Sequence, residues 1–95
     1  TLRGDITMRM MIVILNDQDA ESVLRALIEQ EFRATRIAST GAFLRRGNTT
    51  LLIGLEEDKV DGVVEIIREH SAEPEEPGQR RATVFVLPVA SYEQI

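Results

Sequence analysis

No cysteine occurs in the 95 residues, which excludes disulfides, thiolate metal centres and thiol chemistry together. No apolar run approaches the roughly 20 residues that a membrane-spanning helix requires. No basic stretch leads into an apolar segment and a cleavage site, so a soluble, cytoplasmic protein without a membrane partner is expected. Aromatics are scarce, with one Tyr, three Phe and no Trp, and the last apolar run lacks the aromatic pair on which RNA-binding sheets stack bases. The one histidine, His70, falls at the end of a predicted helix, where the dipole favours a cation and no further role is called for. Walker-type phosphate loops, metal-ligand clusters and nucleophile signatures are likewise missing. A binding protein is therefore expected rather than an enzyme, with no metal and no cofactor. Asp17-Gln18-Asp19 lacks the rest of a calcium loop and reads as the start of a helix.

What is present is a charge separation. The formal net charge is −5, from 11 basic and 16 acidic residues. Phe32 to Gly54 nevertheless carries Arg33, Arg36, Arg45 and Arg46 without a single acid, leaving seven basic against 16 acidic residues elsewhere. Such a balance disfavours nucleic-acid polymers and membrane surfaces, which call for a broad basic face, and leaves one local anion trap. The same segment supplies glycines, hydroxyls, Asn48 and a turn phenylalanine, Phe43, as a phosphate-bearing small ligand would require. Solvated hairpin charges are the plainer reading of four arginines, and Arg45 and Arg46 are read that way. For Phe43 the plainer reading is a core or subunit contact.

The length suits one compact domain, and a domain this small gains stability by associating with copies of itself. Residues 1–9 have no clear periodicity and read as an N-terminal arm or remnant, with Met8, Met10 or Met11 as candidate true starts, ahead of a single domain over 10–95. Met10 to Leu15 is an unbroken apolar run, the pattern of a central strand. Asn16 to Asp19 offers capping residues and first-turn acids. Ala20, Val23, Leu24, Leu27 and Ile28 then form one helical stripe, with Phe32 closing the helix on the core. Arg33 to Ser39 alternates as a strand, placing Arg33, Thr35 and Ile37 on one side and Ala34 and Arg36 on the other. Thr40 to Asn48 reads as a loop or hairpin tip, and Thr49 to Leu55 as the next strand. Glu56-Glu57-Asp58 opens a second helix whose stripe is Val60, Val63, Val64 and Ile67. Ser71 to Gln79 is a polar connector, Ala82 to Leu87 is the last strand, and a tail follows.

The order strand, helix, strand, strand, helix, strand predicts an α+β, ferredoxin-like βαββαβ domain: an antiparallel sheet with two helices on one face. The other face then lacks cover, which predicts self-association with sheets turned toward each other.

The runs I-V-I-L-N-D-Q-D, F-R-A-T-R-I-A-S-T-G-A-F-L-R-R-G-N-T-T-L-L-I-G and A-T-V-F-V-L-P-V resemble the bacterial cyclic di-AMP receptor family, which has a PII-like fold. The likeness extends from about Met10 to Gln94. It implies a homotrimeric signal-transduction protein holding one dinucleotide in each cleft between neighbouring subunits, with a downstream protein partner. Carried over by position, it implies that Arg33 and Thr35 donate to phosphate, where a guanidinium fork suits the geometry. Phe43 would stack on an adenine, with Gly41, Ala42 and Leu44 around the base. Asn48 and Gly54 would line the cleft, and Phe85 and Gln94 would close it from the adjoining part of the trimer. The alternative is a PII-like regulatory module that kept the fold and lost the nucleotide.

Overall fold

Strand β1, Met8–Asn16, forms the middle of the structure because it can pair on both sides. The computed structural model describes residues 7–37, 47–73 and 80–91 together with Glu93 and Ile95. Helix α1 is Asp17–Glu29, β2 is Arg33–Ile37, β3 is Asn48–Glu56, α2 is Val60–His70 and β4 is Ala82–Pro88. A 3₁₀ turn, Glu57–Lys59, leads into α2. Among the described residues the sheet has four strands in the order β2-β3-β1-β4, every pairing antiparallel. The α+β class, the element order and the central place of the first apolar run are all as expected.

β1 begins at Met8, two residues ahead of the apolar run. Arg9 faces Leu55 and Pro88 across the two ladders, and its guanidinium lies 3.4 Å from the Glu57 carboxylate. The Glu57 N–H also donates to the Thr7 carbonyl at 2.8 Å, so the backbone just before β1 is tied to the turn after β3. Residues 1–6 lie outside the described residues.

Alternation along the strands divides the apolar residues between two faces. Met11, Val13 and Leu15 on β1 and Leu51, Ile53 and Leu55 on β3 point one way and are buried. Val23, Ala26 and Leu27 of α1 and Val63, Ile66 and Ile67 of α2 join them in a single core, so both helices serve one face. Fully burying a Leu or Val side chain stabilises by about 1.5–3 kcal/mol relative to exposure. The opposite face carries Met10, Ile12, Ile14 and Leu52 half-buried, with Phe85 and Leu87 exposed. The fold thus has an apolar back that neither helix covers.

The α1 stripe is rotated from the expected one. Ala20, Val23 and Leu27 are buried and Leu24 is partly so, but Ile28 is 58% exposed and Ala26 takes its place inside. At 3.6 residues per turn the buried positions centre near Val23, and Ile28 lies about 140° round from it. The chain leaves α1 by a left-handed residue. The Phe32 N–H donates to the Leu27 carbonyl and the Glu31 N–H to the Ile28 carbonyl, each at 2.9 Å, while Glu31 has φ of 66°. This is a Schellman ending, in which an apolar residue after the turn packs back on the last turn of the helix. Phe32 does so, packing against the core as expected.

Glu31 therefore occupies a position that favours Gly or Asn. Glu31→Asn and Glu31→Gly should each raise stability by about 0.5–1 kcal/mol, whereas Glu31→Val should lower it. Urea midpoints at fixed protein concentration and unchanged slope would show this. A lowered midpoint for both Asn and Gly would contradict it.

Candidate functional site

The uncovered face is organised in rows. Across the sheet from β4 to β2, Leu87, Met10, Gly54 and Arg33 stand in register, then Phe85, Ile12, Leu52 and Thr35, then Thr83, Ile14, Thr50 and Ile37. Arg33 and Gly54 are direct cross-strand partners, and Thr35 follows two residues along on the same face. The structure therefore brings Arg33, Thr35 and Gly54 together. Asn48 shares their face but begins β3, about 20 Å along the strand from Gly54. Phe85 is on this face too, 49% exposed, but on the opposite edge strand. Three strand spacings, about 14 Å, separate it from Thr35 within one protomer.

The two arginines of β2 have different environments because alternation sends them to opposite faces. Arg36 is on the helix side, with its guanidinium 3.8 Å from Glu21 on α1. Arg33 is exposed and makes no ion pair with any of the described residues. The acid on its face is Glu56, two residues beyond Gly54 and exposed to water. A guanidinium so placed offers a planar fork of donors to a carboxylate or phosphate.

Gly54 lies beside it in the interior of a strand, where glycine is a poor choice for stability. A Cβ built there would meet nothing within 4 Å among the described residues, so their packing does not call for glycine. Its backbone is open to a close approach from outside. Thr50, on the same face, is buried, and its hydroxyl finds no acceptor among the described residues. Burial of Thr50 on the nominally open face is not visible in the alternation of β3.

At the far end of β3, Gly47 turns with φ of 84°, the conformation for which glycine is suited. Gly41, Ala42, Phe43 and Leu44, like Gln94, lie outside the described residues. Asn16, expected among the caps of α1, makes no side-chain capping bond. The Asp17 carboxylate instead accepts a hydrogen bond from the Thr49 hydroxyl. His70 at the end of α2 has its Nδ1 3.3 Å from the Ser22 hydroxyl. Among the described residues no group of three or more His, Cys, Asp or Glu could hold a metal, and no helix is long and apolar enough to cross a membrane.

A family profile described as cyclic-di-AMP receptor matches residues 8–77. The chain belongs to the cyclic-di-AMP receptor family. The matched range takes in Arg33, Thr35, Asn48 and Gly54, and Phe85 falls beyond it. The receptor family's PII-like fold agrees with the α+β architecture. The chain is also similar to a crystal structure described as a functionally unknown protein from Pediococcus pentosaceus, with 39% identity and a TM-score of 0.78. That likeness covers 95% of this chain and 99% of the other.

Since none of the described residues occupies the space over Gly54, Gly54→Val should leave the stability of the isolated protomer unchanged or raise it by about 0.5–1 kcal/mol. Unfolding at protein concentrations low enough to dissociate any oligomer is the measurement. A loss of 2 kcal/mol or more, on the order of a core cavity, would show that the glycine serves the protomer itself.

Proposed function

We propose that the protein is a cytoplasmic signal-transduction receptor that binds cyclic di-AMP, or a related adenine nucleotide, at the seams of a homotrimer. The family supports a nucleotide-binding, non-enzymatic role. The observation that carries the reading to particular residues is Arg33, without an ion-pair partner among the described residues, facing the bare backbone of Gly54. Arg33 supplies donors to phosphate oxygens and the Thr35 hydroxyl adds another. Gly54 lets the ligand approach the strand. Phe43 stacks on a purine, with Gly41, Ala42 and Leu44 shaping the pocket around it and Asn48 lining its far end.

Phe85 enters from a neighbouring subunit in this reading, together with Gln94. Within one protomer Phe85 is on the opposite edge strand from Thr35, about 14 Å away, so it is free to face a different cleft from the one Thr35 lines. The uncovered apolar face supports association: Ile12, Leu52, Phe85 and Leu87 form a patch that gains stability when another sheet closes over it. Ligand binding at such a seam can shift loop conformations seen by a downstream protein, provided the ligand favours one of them.

Calorimetric titration with cyclic di-AMP, cyclic di-GMP, ATP and AMP tests the ligand. Binding of cyclic di-AMP is expected, and silence for all four removes the reading. Arg33→Ala should weaken binding tenfold or more, about 1.4 kcal/mol, while Arg36→Ala, on the helix side, should stay within about threefold. Equal losses for the two would sink the assignment of faces. Association has its own test: sedimentation should give a trimer for the native chain and a smaller species for Ile12→Glu, and a native monomer would rule out a shared cleft.

A further inference from the structure

Asp17 holds two residues of β3's start at once. Its backbone N–H donates to the Gly47 carbonyl at 2.8 Å, and its carboxylate accepts from the Thr49 hydroxyl. These two partners bracket Asn48, which is also the last rung of the β1 ladder, opposite Asn16. Thr49 is only 7% exposed. A buried hydroxyl needs a partner, and the carboxylate supplies a charge-assisted one. One acid in the first turn of α1 therefore sets the position from which β3 begins.

We infer that Asp17 is a positioning residue for the ligand cleft, fixing Asn48 by clasping Gly47 and Thr49 on either side of it. The inference rests on the cyclic di-AMP reading of that cleft. A first-turn acid would suit the helix dipole in any case, and that general role needs neither Thr49 nor Gly47. What separates the two roles is the pairing. If the clasp matters, removing either partner has the same effect on binding, and removing both adds little, because the two act as one unit.

The test compares Asp17→Ala, Thr49→Val and the double variant with Asp17→Asn and Thr49→Ser, which keep an acceptor and a hydroxyl. Cyclic di-AMP affinity is read by calorimetry, and amide hydrogen exchange of residues 48–50 is read without ligand. Asp17→Ala and Thr49→Val should each weaken affinity about tenfold and speed the local exchange, the double variant should be no worse than either, and the conservative variants should stay within about threefold of the native chain. Val63→Ala, which leaves a gap in the core of α2, provides the comparison for general destabilisation. Native affinity in Asp17→Ala, or an equal loss of affinity in Val63→Ala, would reduce Asp17 to a helix-start acid and overturn the inference. Should the native chain bind no cyclic di-AMP, the ligand reading falls, and exchange of residues 48–50 decides the clasp alone. Unchanged exchange in Asp17→Ala would then end it.

Discussion

Two helices serving one face of a four-stranded sheet is the constraint on which everything else depends. Both faces of β1 are apolar: Met11, Val13 and Leu15 enter the core, while Met10, Ile12 and Ile14 reach the other side. A strand of this kind is made to be covered twice. Among the described residues, the two helices supply the covering layer for one face, and the other carries an apolar patch. The edges of the sheet also differ. β2 carries Arg33 and Arg36, whose charges discourage indiscriminate pairing, whereas β4 has no charged residue between Ala82 and Pro88.

Charge placement follows from the same geometry. Four arginines lie in one acid-free stretch, and the pleat of β2 sends two of them, Arg33 and Arg36, to opposite faces. One residue's shift in register would exchange Arg33 and Arg36, sending the Arg33 guanidinium toward α1 and the Glu21 partner toward the open face. The ladder of Arg33 with Gly54 and Ala34 with Ile53 prevents that, because Ala34 and Ile53 face the core and would otherwise be turned to water. The face that carries Arg33, Thr35 and Gly54 is thus held in register by hydrophobic burial on the face behind it.

Much of this was legible in the residues because it is periodic. The apolar run of β1, the alternation of β2 and the stripe of α2 each repeat a spacing that points to one element and one face. The arginines of β2 were assignable to opposite sides on alternation alone. What escaped was set by tertiary contacts. Ile28 fits the stripe of α1 by spacing, yet the helix lies on the sheet through the side centred on Val23, leaving Ile28 in water. Glu31 gives no hint of a left-handed turn, since a glutamate has neither the freedom of glycine nor the short amide of asparagine. The pairing of Arg33 with Gly54 depends on how β2 and β3 align across the intervening segment, and no local pattern states that alignment. Thr50 is buried although alternation places it on the open face.

The acids that open α1 show how a local signal can be correct in kind and incomplete in use. Asp17 and Asp19 suit the positive end of the helix dipole, and that much is expected of first-turn carboxylates. Neither spends its oxygens on capping bonds within the described structure. Asp17 accepts from Thr49 at the start of β3, whereas Asp19, buried, accepts from the Ala72 N–H just beyond α2 at 3.3 Å. Arg81, ahead of β4, closes the same end by donating to the Arg68 carbonyl at 3.1 Å and pairing with Glu73 at 3.1 Å. A neutral acceptor could make the Thr49 bond without favouring the helix, and an acid elsewhere on α1 could suit the dipole without reaching β3. Carboxylates at positions 17 and 19 do both, so one helical turn joins the start of β3 and the end of α2 where the two chain segments meet.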